Sequence, residues 1–390
     1  MTETTQGQPS QRTLEELKVE AQARADRKGY PLLGIKPEDA REALGKLKSL
    51  DRDEWAAAWS AIGDRYAAEA EALAATDLKR ADATYLQAWR VYSFARWPAP
   101  NSPGKQRAYE RALAMFAAHG ALQDPPIETW RIPFEGTEIV TYRQMPPNKE
   151  KGSVPIILAI SGADSRKEDM AERFAPFLSH GIGVVSAESP GTGQTPIKAV
   201  PTGDRMHSAV IEAIFRMPQV DTSRVLLYGG SFGGYWAAKL AVTERARLRA
   251  VVVQSPPVHE FFQGDFIRNQ VLANREYLFD LGPAMMFMGE NVRSIDELCT
   301  QFEKLSLVTQ GLIGKSTAPM LVIHGVRDTQ VPVGDIDLLL HSGDVPKEAW
   351  INPSGGHMGR LPKGWTDVAI FKHITMPWLL RKAAEPEPVF

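Results

Sequence analysis

Gly229-Gly230-Ser231-Phe232-Gly233-Gly234 sets a serine among glycines, with the apolar run RVLLY before it and the helical run YWAAKLAV after it. Strand, tight turn and helix together expose a serine at the carboxyl end of a sheet. A Cβ at the flanking positions would clash, hence the glycines, and the helix N-terminus favours negative charge developing beside the hydroxyl. G-x-S-x-G alone is a weak signal, because small residues recur by chance and a plain Gly-rich turn can carry it; the strand before and the helix after raise it. A serine hydroxyl needs an adjacent base, and the base needs an orienting acid. The order for a serine on such a turn is Ser, acid, His. Asp328 lies in HGVRDTQVP, directly after the run APMLVIHG, and His357 lies in PSGGHMG, directly after KEAWINP. Of the later histidines, His341 falls at a helix end and His373 in the last helix, which leaves His357 in a strand-end loop. The expectation is Ser231 as nucleophile, His357 as base and Asp328 as acid. Attack on a carbonyl also needs backbone N–H donors for the oxyanion. Phe232, next after the nucleophile, and Ala163, in the loop Ser161-Gly162-Ala163-Asp164-Ser165, are expected there.

These residues need a sheet to hold them. From residue 127 the pattern is strand-like: IETWRIPF and EIVTYRQM flank a turn at Glu135-Gly136, and then come VPIILAI, GIGVVSA, RVLLYGG, RAVVVQS, APMLVIHG and KEAWINP. The later runs are rich in Val, Ile and Leu without alternation, as strands buried on both faces are. Helical stretches separate most of them, one opening at an expected capping box, Ser165-x-x-Glu168. Eight strands, beginning as an antiparallel pair and continuing as β-helix alternation, predict an α/β sheet with helices on both faces; with the serine turn and the order Ser, acid, His, the fold expected is the α/β-hydrolase fold with a mostly parallel sheet. Residues 38–122 read as helical: Trp55, Trp59, Ile62 and Tyr66 follow i, i+4, i+7, i+11, and Tyr85, Trp89, Tyr92 and Tyr109, Leu113, Phe116 mark two more helices. The domains expected are 1–122 helical, 123–255 the first part of the sheet domain, 256–317 an inserted helical cap, and 318–390 the rest of the sheet domain. Residues 256–317 are too many for a loop. Within them His259, Glu260, Phe261 and Met286 are candidates for substrate contact, although cap core explains the apolar pair as well. Cap and N-terminal helices together are expected to wall the pocket and set substrate size. Residues 1–12 and 385–390 are polar and expected to lack regular structure.

Lys plus Arg is 45 against 47 for Asp plus Glu, a balance that offers nothing to nucleic acid or an anionic membrane. The single cysteine, Cys299, excludes an intrachain disulfide and fits a reducing compartment. The first residues carry no apolar leader and no stretch approaches ~18 apolar residues, so the expected address is the cytoplasm. His259-Glu260-Phe261-Phe262-Gln263 misses a metal-binding H-E-x-x-H by one residue, and Gly311 to Ser316 misses a P-loop because Thr309 stands where its first glycine belongs. No metal and no other cofactor is expected.

The segments IPFEG, SGADSRKED, ESPGTGQT, GGSFGGYWA, HGVRDTQVP and GGHMG, with the helical N-terminal part, cover most of residues 50–380. In these the chain resembles the esterase group related to the fermentation–respiration switch protein, in the branch of 2,6-dihydroxypseudooxynicotine hydrolase and fungal polyketide chain-shortening hydrolases. The resemblance implies a triad of Ser231, Asp328 and His357, a substrate cleft between the helical parts and the sheet, and frequent homodimers. It leaves the scissile bond open, since members cleave esters and some cleave C–C bonds next to ketones. The expected activity is cofactor-independent hydrolysis of an ester of a small-to-medium, partly aromatic molecule. The alternatives are retro-Claisen C–C cleavage and a non-catalytic binding or regulatory protein on the same scaffold.

Overall fold

Glu135 and Gly136 have positive φ (46° and 79°), and between them they join strands β1 (Glu128–Phe134) and β2 (Thr137–Gln144), paired antiparallel from Phe134↔Thr137 onward. Two left-handed residues match the twist of a hairpin. The computed structural model describes residues 12–147 and 150–385. The reading of polar ends falls on residues 1–11 and 386–390, which lie outside the described residues.

Six further strands complete the sheet: β3 (Val154–Ile160), β4 (Gly183–Ala187), β5 (Val220–Gly230), β6 (Ala250–Gln254), β7 (Met320–Gly325) and β8 (Lys347–Asn352). Their order is β1-β2-β4-β3-β5-β6-β7-β8, antiparallel as far as β4 and parallel beyond. Every residue of β3, β4, β6 and β7 is buried, which is why their sequences lack alternation. On one face Ile157, Val184, Leu226, Tyr228, Val252 and Ile323 pack with Phe174, Phe177, Phe371 and Trp378. Helices α6 (Lys167–Phe174), α7 (Asp204–Phe215) and α8 (Phe232–Thr243) follow β3, β4 and β5. The expected capping box shifts by one residue: the Arg166 N–H donates to Asp169 Oδ2 at 2.7 Å, while Ser165 Oγ accepts the Gly162 N–H at 2.9 Å inside its own loop.

The chain divides into two units. One takes the N-terminal residues to Ile127 together with Leu272–Phe287; the other comprises Glu128–Val271 and the residues from Met288 on. The segment 256–317 is therefore split, with its middle belonging to the helical unit. That unit holds α1 (Leu14–Asp26), α2 (Pro37–Lys46), α3 (Arg52–Leu73), α4 (Leu78–Ala95) and α5 (Pro103–Ala121), so helix begins well before residue 38. Trp55, Trp59, Phe94 and Trp97 form its aromatic centre, and Phe279 of the inserted segment joins with its ring 4.5 Å from Trp55. Asp280 follows and accepts from Arg52 (2.8 Å), Asn101 (2.9 Å) and the fully buried Lys105 (2.9 Å).

Candidate active site

The sheet delivers the three sequence-nominated residues from the ends of parallel strands. Ser231 follows β5 and precedes α8, at φ 53° and ψ −123°, a conformation costly for a non-glycine residue. The glycines beside it are steric necessities: a Cβ on Gly229 would sit 2.1 Å from Gly233 O, and one on Gly233 would sit 2.5 Å from Ile160 O. The Ser231 N–H donates to Gln254 O at the end of β6 (2.8 Å). Asp328 follows β7 and His357 follows β8.

His357 Nε2 lies 3.1 Å from Ser231 Oγ, and His357 Nδ1 lies 2.9 Å from Asp328 Oδ2. Asp328 is buried, and its other oxygen accepts from the N–H groups of Gln330 (2.8 Å) and Val331 (3.0 Å). Burial alone would push this carboxyl up; facing His357, with help from His324 and the Val331 N–H, brings it down to about 2. An ionised acid with both oxygens occupied can hold the Nδ1 proton of His357, leaving Nε2 to accept from the serine.

The N–H groups of Phe232 and Ala163 have no acceptor among the described residues. Phe232 opens α8, where orphan donors are normal. Gly162 lies against Ser231, since a Cβ there would be 3.6 Å from the Ser231 Cβ. Both expected oxyanion donors are thus unspent.

The four substrate candidates separate. Phe261 is buried and packs edge-on to Phe262 at 5.2 Å. His259 Nδ1 is engaged by Ser306 Oγ at 2.7 Å. Glu260 is exposed. Met286 belongs to the helical unit, half-buried in the helix Leu281–Met288.

Several positioning residues escaped the sequence reading. Asp335 is buried and accepts from the backbone N–H groups of Val258, His259, Glu260 and Phe261, fixing the first turn of the inserted segment. The loop bearing His357 is held at both sides of Met358: Ser255 Oγ accepts its N–H (3.0 Å) and Gln254 Nε2 donates to its carbonyl (2.8 Å). Arg360 Nε donates to the His357 carbonyl at 2.8 Å. His324 lies behind Asp328, its Nδ1 2.9 Å from Ser255 Oγ and 3.6 Å from the carboxylate. Burial brings His324 down to about 4, so it is neutral near pH 7 and charged only in acid. The spacing His-x-x-x-Asp at the end of a buried strand was the one readable sign of it. Among the described residues no three His, Cys, Asp or Glu side chains gather as metal ligands would, and no helix is long and apolar enough to cross a membrane.

The family model described as "Esterase FrsA-like" matches residues 44–351. This chain belongs to the FrsA-like esterase family. It is a hydrolase of the α/β-hydrolase superfamily. The hydrolyase poxO of Penicillium oxalicum is 27% identical to this family member over 82% of the chain and 87% of its own length. The FrsA esterase of an Enterobacter species is 29% identical over 59% of the chain, an alignment spanning only 55% of that longer relative. Among solved structures, 2,6-dihydroxy-pseudo-oxynicotine hydrolase superposes with a TM-score of 0.74 at 19% identity, covering 92% of this chain and 95% of that one. AbyA5 superposes at 0.69 with 21% identity, covering 94% and 92%. Both likenesses establish the α/β-hydrolase fold.

Proposed function

We propose that Ser231, His357 and Asp328 act as a catalytic triad that cleaves an ester of a small-to-medium, partly aromatic molecule through an acyl-enzyme. The observation that carries this is the unbroken chain of contacts from Ser231 Oγ through both imidazole nitrogens to Asp328. Ser231 Oγ attacks the ester carbonyl as its proton passes to His357 Nε2. The carbonyl oxygen becomes an oxyanion facing the Phe232 and Ala163 N–H groups. Collapse expels the alkoxide, which takes the proton from His357; a water activated by the same imidazole then releases the acid. Aromatic preference is supported by a run of rings starting beside the nucleophile: Phe232 stacks on Phe302 at 6.4 Å, Phe302 meets Phe262 at 6.3 Å, and Phe262 meets Phe261. Homodimerisation, which the resemblance implies, belongs to the same proposal and is read by light scattering.

The test is Ser231→Ala against a panel of aryl esters and β-diketones. The variant is expected to stay folded and to lose hydrolysis, leaving ~10³–10⁴ over water from the remaining groups. Near-normal turnover would remove the assignment. Diketones consumed faster than esters would favour C–C cleavage, where His357 or Glu260 would protonate the leaving carbanion. Failure of a fluorophosphonate to label Ser231 would favour a non-catalytic scaffold.

A further inference from the structure

Beneath the loop 161–165 lies a neutral set of buried charges. Arg166, Lys167, Glu168 and Glu188 are each at most 2% exposed. Lys167 Nζ lies 3.0 Å from Glu168, 3.3 Å from Glu188 and 2.9 Å from Gln194 Oε1. The Gln194 N–H donates to Glu188 at 2.8 Å, and Arg166 Nε stands 3.9 Å from the other oxygen of Glu188. Room for that carboxylate depends on Gly193, whose added Cβ would fall 1.7 Å from Glu188 Oε1. Buried ion sets of this kind are poor sources of stability, because desolvation offsets the attraction and well-packed apolar side chains do as well or better. Apolar side chains cannot do what Arg166 does: its Nη1 donates to the carbonyls of Ala163 (3.0 Å) and Ser165 (2.6 Å). The Gly162 N–H is tied to Ser165 Oγ. The peptide groups on either side of the one carrying the Ala163 N–H are thereby held, and that N–H is left free.

We propose that Arg166, steadied by Glu188, is a positioning residue for the oxyanion site, holding the loop so that the Ala163 N–H stays aimed at the reacting carbonyl oxygen. The proposal rests on Ser231 being the nucleophile. It requires preorganised donors, whose value lies in not moving during reaction.

The experiment compares wild type, Arg166→Lys, Glu188→Gln and Ser231→Ala. The readouts are hydrolysis of p-nitrophenyl butyrate, the rate of fluorophosphonate labelling, and inhibition by an aryl trifluoromethyl ketone. In that ketone adduct Ser231 Oγ bonds the carbonyl carbon, its proton moves to His357, and the ketone oxygen becomes the anion. Loss of a whole oxyanion donor costs about 10²–10³ in kcat, so a donor set adrift is expected to cost about 10–100-fold in Arg166→Lys and less in Glu188→Gln. KM should stay within about threefold, and ketone affinity should fall in step with kcat/KM. A merely structural role would lower Tm and leave those ratios unmoved. Folded Arg166→Lys or Glu188→Gln with kcat and ketone affinity within about twofold of wild type overturns the proposal. Should Arg166→Lys fail to fold, Glu188→Gln carries the comparison. If Ser231→Ala keeps activity, or the wild type is neither labelled nor active, the triad reading falls and takes this one with it; an inactive Ser231→Ala beside an unaffected Arg166→Lys defeats this proposal alone.

Discussion

Gln254→Met perturbs the proposed triad without touching it. Gln254 is fully buried, accepts from the Tyr228 hydroxyl at 2.7 Å and donates to the Met358 carbonyl at 2.8 Å. Methionine fills similar space and makes neither bond, so a buried hydroxyl and a buried carbonyl are stranded. At about 1–3 kcal/mol for each orphaned group, the variant should lose about 2–6 kcal/mol. Tyr228→Phe strands only Gln254 Oε1, about 1–3 kcal/mol. The double variant strands only the Met358 carbonyl, so it should be more stable than the sum of the singles implies, by about 2–6 kcal/mol. Urea melts of the four proteins give this coupling directly. The same panel reports on catalysis, because Met358 adjoins His357 and keeps only its Ser255 tie in Gln254→Met. Well below the melting range, kcat should fall several-fold with KM little changed. Additive singles would refute the hydrogen-bond account, and wild-type kcat in folded Gln254→Met would refute the claim that this tie places the base.

Asp328→Asn should lower kcat by up to about 10⁴ with little change in KM, because it disturbs the tautomer of His357 rather than binding; steady-state kinetics on an aryl ester checks this. Burial brings both His324 and His207 from 6.5 down to about 4. The unfolded chain therefore binds these protons first, so stability is intact above about pH 6.5 and falls toward pH 4 by up to ~1.4 kcal/mol per pH unit for each histidine. His324→Asn or His207→Gln should flatten that slope in pH-dependent melts, and an unchanged slope would count against it. Burial, partly opposed by Asp280, brings Lys105 from 10.5 down to about 8, so the folded state gains stability as pH rises from about 8 toward 10.5. In Asp280→Asn that gain should start at lower pH, so the lysine part of the variant's penalty is present at pH 7 and closes above about pH 8. Melts of both proteins at pH 7 and 9 test the convergence.

The sheet and the meeting of Ser231, Asp328 and His357 were legible because each rests on local signals. Unalternating Val/Ile/Leu runs mark the buried strands, and Ser231, Asp328 and His357 each sit directly after one. Helix α1 was not, because its buried stripe is Leu17, Ala21 and Ala25, too small in side chain to stand out from the charges around it. Arg166, Lys167 and Glu188 gave no local sign of burial, since charged residues are almost never fully buried unless paired, and Glu188 lies a helix and a strand beyond Arg166 and Lys167 in sequence. Asp335 was hidden for a similar reason: its partners are backbone N–H groups some 75 residues upstream. Leu278 and Phe279 pack in the core of the helical unit, a long-range choice that the segment alone does not encode.

The return of Leu272–Phe287 to the helical unit means that the chain passes between its units at residues 127/128, 271/272 and 287/288. Neither unit is a contiguous stretch of gene. A shortened chain starting at residue 128 carries Leu278, Phe279 and Asp280 without Trp55, Arg52 or Lys105 to receive them, so it presents a sticky apolar strip rather than a minimal hydrolase. Recombination faces the same bookkeeping. A crossover that exchanges the N-terminal helices while leaving the insertion behind parts Lys105 from Asp280 unless both pieces are exchanged together.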